Sequence, residues 1–316
     1  MKGIPPGPAY MAASALAFSL MALLVKLLGQ RLPSQEIVFA RALISLVLSY
    51  SLLRHAGKRV WGSNRKLLVF RGVLGFGGLS CFYFSVTRLP LAEVTVLHYL
   101  HPVLTAILAA LFLSESVGLR LYASILLSFA GVILVTKPGF LFAASAAGLA
   151  TLPTLAALGG AVFSAAAYTV VRRLSRSEDP LVIVFYFPLV AVPASIPTML
   201  RDVVWPHGAE WLVLVGVGIF TQIGQITLTR GLKLEPAGRA TAMSYLQVLF
   251  AVVWGALFFA ESPDAWSILG ALLILGGTFL VAVRADGAWF GTALRNMMSV
   301  SQNANAARRT AEEAIE

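Results

Sequence analysis

The sequence predicts an all-α integral membrane protein, with ten transmembrane helices arranged as two inverted five-helix repeats and both termini cytoplasmic. Three observations predict it. Of the 316 residues 58% are hydrophobic and only 12% charged, and the mean hydropathy is +0.83. A soluble domain carries about 25% charged residues, so this chain could not cover a water-facing surface. Ten apolar runs approach the roughly 20 residues that a helix needs to cross about 30 Å of hydrocarbon. The chain also repeats itself without a gap. Glu115-Ser116 returns as Glu261-Ser262, 146 positions on. The same displacement pairs Tyr99-Leu100 with Tyr245-Leu246, Pro90 with Pro236, Phe112 with Phe258, Gly131 with Gly277, Ile37-Val38-Phe39 with Ile183-Val184-Phe185, and Val25-Lys26 with Val171-Arg172. An odd number of spans, duplicated in tandem, places the copies in opposite senses, which is the architecture of secondary transporters.

The runs fall near 9–28, 35–53, 67–86, 92–113, 119–136, 153–172, 180–200, 210–230, 237–259 and 265–283. The first is too long for a signal-peptide core of about 7–15 residues and reads as a span. The fifth is short, but Ser124, Ser128 and Gly131 mark a close-packed face. The intervals hold helix-ending residues: Pro33, Pro90, Pro138-Gly139, Asp179-Pro180, Pro206 and Pro263. Residues 1–140 thus form the first repeat and 141–286 the second. The segment 287–316 reads as a cytoplasmic tail, first interfacial through Trp289, Phe290, Leu294, Met297 and Met298, then polar and disordered.

The net charge of +10 and a pI near 10.1 raise nucleic acid as a partner. The basic residues instead sit in short intervals between apolar runs, which is membrane topology and excludes a phosphate-binding face. With the N terminus cytoplasmic, seventeen Lys and Arg lie inside and four outside: Arg31, Arg88, Lys137 and Arg201. Lys26, Arg41 and Arg71 sit within spans or at their ends. Cys81 alone forbids an intrachain disulfide.

An ionisable group deep in a bilayer is costly and so points to function. His98 and His101 are the sharpest candidates, three apart near the middle of the fourth span and hence on one helical face with Thr95, Pro102 and Thr105. Imidazole titrates near neutral pH, so the pair suits an anionic group or a proton relay, with the proton as candidate coupling ion. Hydrogen bonding between helices is the plainer alternative. A metal would need a third ligand, and none lies nearby in sequence. The equivalent stripe in the ninth span is Thr241, Ser244, Tyr245 and Gln247; the displacement pairs Tyr99 with Tyr245 and His101 with Gln247. Trp254 either walls the outer end or anchors the interface. Gln222 and Gln225 share a face of the eighth span, and Ser164 and Tyr168 form an i,i+4 pair in the sixth. Arg41 either neutralises an anionic substrate or pairs with Glu36 or Glu93 as a strut. The glycines of spans three and eight (Gly72, Gly75, Gly77, Gly78; Gly216, Gly218, Gly224) permit close helix approach and lack the strand–helix context of a phosphate loop. No cofactor motif is present.

The five-plus-five spans, the repeated apolar-Glu-Ser ending of spans four and nine, and the runs Arg71-Gly72-Val73-Leu74-Gly75, Tyr83-Phe84, Leu89-Pro90-Leu91-Ala92 and Pro102-Val103-Leu104-Thr105 resemble the drug/metabolite transporter superfamily, EamA type. The likeness covers roughly residues 9–285 and specifies the superfamily better than a substrate. It implies a central cavity lined mainly by spans three, four, eight and nine, alternating access without ATP, and a small-molecule metabolite as substrate. Many members carry a Trp in the first span where this chain has Phe18-Ser19, which weighs against an amino-acid exporter. The resulting expectation is a multi-pass permease of the inner (cytoplasmic) membrane, a monomer or homodimer. Its substrate would be a small organic metabolite bearing a carboxylate or other anionic group. The substrate-binding candidates are His98, His101, Tyr99, Thr105, Gln222, Gln225, Tyr245, Gln247, Arg41 and Tyr168, with no metal or catalytic residue. A zwitterionic or cationic metabolite (amino acid, amine, or nucleoside-type such as S-adenosylmethionine) is the alternative, with Tyr and Trp supplying a cation–π wall. A polytopic membrane enzyme would need clustered carboxylates or a nucleophile–base pair, and the 14 acidic residues are dispersed.

Overall fold

The structure, a computed structural model, describes residues 6–86, 88–89, 91–138, 141, 150–200, 203–259 and 263–282. Within them, ten helical segments are long and apolar enough to cross a membrane: Pro6–Leu28, Ser34–His55, Arg65–Val86, Val94–Leu113, Leu119–Thr136, Thr151–Leu174, Pro180–Met199, Glu210–Leu234, Ala237–Phe258 and Ala265–Ala282. No strand occurs among the described residues. Leu111, Phe112, Leu119, Leu212, Leu257 and Leu272 stand exposed, a surface suited to lipid. The segment expected to lie along the interface after residue 287, and Glu261-Ser262, lie outside the described residues.

The helix ends follow local chemistry. Asp179 caps the seventh span, accepting the Leu181 N–H at 2.9 Å, with Pro180 at its first position. Ser114 and Lys137 take left-handed backbone angles (φ 54° and 45°) where spans four and five stop.

The span contacts survive exchange of the two halves. The first packs on the eighth as the third packs on the sixth; the third meets the seventh as the eighth meets the second. The fourth meets the sixth as the ninth meets the first, and the second pairs with the seventh and the fifth with the tenth. Polar ties between connections fall into two sets. Arg31 bonds Glu210 and the Trp205 carbonyl, Glu36 accepts the Val204 N–H, and Lys137 pairs with Asp264. These ties involve only odd-numbered connections and the helix ends beside them. Lys58–Asp179, Asn64–Glu178 and Glu115–Arg172 involve only even-numbered ones. A chain that reverses direction at each connection requires this segregation. The Lys137 hydrogen bond holds the Asp264 carboxyl at about 2, below the ordinary aspartate range. That tie is therefore complete above the ordinary range and fades as pH falls toward 2.

The fifth and tenth spans pack backbone to backbone. Ser124 Oγ donates to the Gly277 carbonyl at 2.5 Å, and a Cβ built on Gly131 would stand 2.5 Å from the Gly270 carbonyl oxygen. Gly131→Val is expected to destabilise the protein by about 1–3 kcal/mol through overpacking, seen as a lowered melting temperature in detergent. Gly118→Ala, which meets nothing within 4 Å, should leave it unchanged.

One expectation is corrected. The fourth and ninth spans, read as unbroken over 92–113 and 237–259, are both discontinuous. The fourth divides into Leu91–His98 and His101–Leu113, with a turn at Tyr99-Leu100. The ninth divides into Ala237–Ala242 and Leu246–Phe259, with a 3-10 turn over Met243–Tyr245. Pro102 lies in the first turn of the second piece of the fourth span, where its missing N–H ends the helical ladder from the first. No proline lies at the break of the ninth span. There the break coincides with a tertiary contact: Tyr245 stacks on Tyr99 with ring centroids 5.7 Å apart, and its hydroxyl donates to the Tyr99 carbonyl at 3.1 Å. The two breaks thus meet, and they meet at residues related by the 146-position displacement.

Candidate functional site

A cavity of about 750 Å³ lies beside the paired breaks, within the range of small-molecule sites. It runs from Arg71, Gln225 and Leu228 past the Tyr99 turn to Lys26, Thr136 and Pro263. Spans three, four, eight and nine all reach it, but they do not form most of the wall as the resemblance implied: the first span gives it more side chains than any of them, and the eighth gives only Gln225 and Leu228. The first span adds Met11, Phe18 and Met21, and the sixth adds Ser164 and Tyr168.

The cavity collects most of the expected residues. Arg41, His98, Tyr99, His101, Tyr168, Gln225 and Gln247 line it. His98 and His101 were expected on one continuous helical face; they instead flank the break, and their rings approach to 5.4 Å. His98 packs on Phe82 at 4.9 Å and His101 on Tyr168 at 5.3 Å, so four rings make a continuous wall. The Nδ1 atoms of both histidines are buried without a hydrogen-bond partner among the described residues.

Three expected residues are not in the lining. Thr105 is fully buried and donates to the His101 carbonyl at 2.7 Å. Gln222 turns to the second span, where Ser45 and Ser49 donate to its Oε1 at 2.5 and 3.1 Å. Tyr245 supports the turn from behind through its bond to Tyr99. Trp254, weighed as a wall or an anchor, donates from Nε1 to Ser19 Oγ at 3.0 Å and is absent from the lining.

The arginines differ most from expectation. Glu36 is engaged by the Val204 N–H, and Arg41 contacts the Met21 sulfur at 3.5 Å. The Glu93 side chain lies outside the described residues. Arg71, grouped on sequence with Lys26 and Arg41 as lying within a span or at its end, is 3% exposed and faces the cavity. Its Nη2 donates to Gln225 Oε1 at 3.0 Å and its guanidinium lies 4.9 Å from the centre of the Phe187 ring. Its Nε and Nη1 are buried without a hydrogen-bond partner among the described residues. No carboxylate of the described residues pairs with Arg41 or Arg71. The signal that could have found Arg71 was its place one turn before Gly75. A side chain at Gly75 would collide with Phe187, its Cβ standing 2.8 Å from that ring.

A family model described as the EamA-like transporter family matches residues 5–137 and again 151–283, two stretches displaced by 146 at both ends. The chain belongs to the EamA-like transporter family. It is a multi-pass membrane protein of a family of transporters, not of enzymes. It is 35% identical to the pseudopaline exporter CntI of Pseudomonas aeruginosa, over 83% of this chain and 90% of that protein. It is 30% identical to solute carrier family 35 member G1 of Homo sapiens, over 87% and 78%. With the S-adenosylmethionine uptake transporter of Rickettsia felis the identity is 23%, over 81% and 85%. A crystal structure at 21% identity superposes with a TM-score of 0.72, covering 85% of this EamA-like chain and 95% of the other, and speaks for the fold alone.

Proposed function

We propose that this transporter is an inner-membrane carrier that moves a small organic anion, a carboxylate in the simplest case, by alternating access between two inverted repeats, residues 1–140 and 141–286. The observation that carries the substrate class is the entry of Arg41 and Arg71 into one cavity with no carboxylate partner among the described residues. A buried guanidinium without a counter-charge is costly, and a bound anion relieves that cost. Exchange symmetry of the span contacts and the segregation of polar ties support the inverted repeats. His98 and His101, with unpartnered Nδ1 atoms, are the groups suited to a proton relay. The relatives differ in cargo and direction, an exporter and an uptake transporter, so their printed substrates do not fix this one.

Purified protein in liposomes, supplied with labelled carboxylates, amino acids and nucleosides, tests the reading. Saturable uptake with counter-exchange is expected, with anions as competitors. The second reading, a zwitterionic or cationic substrate, draws on the rings of Phe82, Tyr99 and Tyr168 at the cavity wall, and competition by amines would favour it. His98→Ala combined with His101→Ala is expected to lower uptake at least ~10-fold; unchanged uptake would remove the pair from the site. Inversion has its own measurement. In a Cys81→Ser background, cysteines at 115 and 261 should label from opposite faces of the membrane, and labelling from one face would refute it.

A further inference from the structure

The two arginines of the cavity stand at different depths. Arg41 lies seven residues from the start of the second span and Arg71 six from the start of the third, and these adjacent spans run in opposite senses. At 1.5 Å per residue, each lies ~10 Å in from its own end, which leaves their Cα levels ~13 Å apart across a span of ~33 Å.

Their settings differ as well. Arg71 is a built subsite. Phe187 covers one face of its guanidinium, Gln225 holds one nitrogen, and Gly75 leaves the space in which the other groups sit, a Cβ there standing 3.6 Å from Nη1. A planar fork fixed on two sides with unused donors matches a carboxylate. Among the described residues Arg41 contacts the weakly accepting Met21 sulfur, and it keeps donors for a second group. The repeat counterparts of these two positions are neutral: Phe187 for Arg41 and Val217 for Arg71. The permanent charge of the cavity therefore comes from the first half, and the second supplies Gln225, Gln247 and Tyr168.

We propose that the substrate carries two anionic groups, one bound at Arg71 and the other at Arg41, so that the cavity selects small dicarboxylates over monocarboxylates. This rests on the organic-anion reading above. A monoanion would leave one of the two buried guanidinium groups without a counter-charge, whereas a dianion compensates both.

The test compares unbranched α,ω-dicarboxylates of increasing length with their monoamides, which match them in size and differ by one charge. Binding is read as thermal stabilisation of the detergent-solubilised full-length protein, and then as competition for uptake in liposomes. A dicarboxylate of preferred length should bind about 10- to 100-fold more tightly than its monoamide, the range of one charge-assisted contact. Arg41→Gln should bring that ratio close to one. Equal binding of diacid and monoamide by the wild-type protein, which needs no variant, overturns the two-anion proposal and leaves the organic-anion reading standing. Binding of amines without any binding of carboxylates overturns the organic-anion reading itself. Failure of every diacid in the series, with monocarboxylates still bound, sinks the proposal alone.

Discussion

Arg71→Gln is expected to lower transport at least ~100-fold while leaving the melting temperature at or above that of the parent protein. The first half follows from two donors: Nε and Nη1 are buried without partners, and charge-assisted bonds are worth about 1.5–3 kcal/mol each. The second half follows from the missing carboxylate. A guanidinium buried without a counter-ion costs folding free energy, and glutamine keeps an amide for Gln225 while removing the charge. Arg71→Lys should fall between, since an ammonium keeps the charge and loses the planar fork that Phe187 covers. Uptake in liposomes and thermal unfolding in detergent measure the two halves separately. A variant that loses stability and transport together would make Arg71 a structural strut and remove the main support for an anionic substrate.

The ten spans were legible because hydrocarbon thickness imposes a length and proline, glycine and charge mark the ends. Ser124, Ser128 and Gly131 were legible as a packing face because small residues at helical spacing have few other uses in lipid. The breaks at Tyr99 and Tyr245 were not. Pro102 sits where a helix is free to begin, hydropathy is blind to a single turn, and the contact that joins the breaks pairs residues 146 apart. His98 and His101 were placed together on a helical-face argument, and the turn between them brings the rings close by another route. Gln222 and Gln225 show a similar limit. Three residues apart, they share a broad face, and only the neighbours separate them: Ser45 and Ser49 for one, Arg71 for the other. Arg71 was read only as lying within a span or at its end, and was not among the binding candidates, because position along its own helix says nothing of its neighbours. Its burial comes from Phe187 on the seventh span and Gln225 on the eighth.

Glu115→Gln is expected to expose the even-connection end of the bundle. In the structure this one carboxylate joins four chain segments. Oε1 accepts Arg172 Nε at 2.7 Å and Oε2 accepts the Ala237 N–H at 2.7 Å, while Arg172 Nη1 donates to the Leu232 and Lys233 carbonyls at 2.9 Å each. The end of span six, the end of span eight and the start of span nine are thereby held to the turn that Ser114 makes after span four. If the halves alternate, these segments must part whenever this end opens, so the network stabilises the closed arrangement and no other. Glutamine retains an acceptor for one donor and removes the charge that holds Arg172. A loss of ~1.4 kcal/mol from one arrangement shifts the balance between the two about tenfold. Thr229, fully buried in the eighth span below this network, serves as reporter. In a Cys81→Ser background, Thr229→Cys should label about tenfold faster in the Glu115→Gln protein when the thiol reagent is supplied at the even-connection side. Arg172→Gln should give a similar acceleration, and the double variant little more, since both remove the same tie. Labelling that ignores all three changes would mean that this network does not hold the end closed.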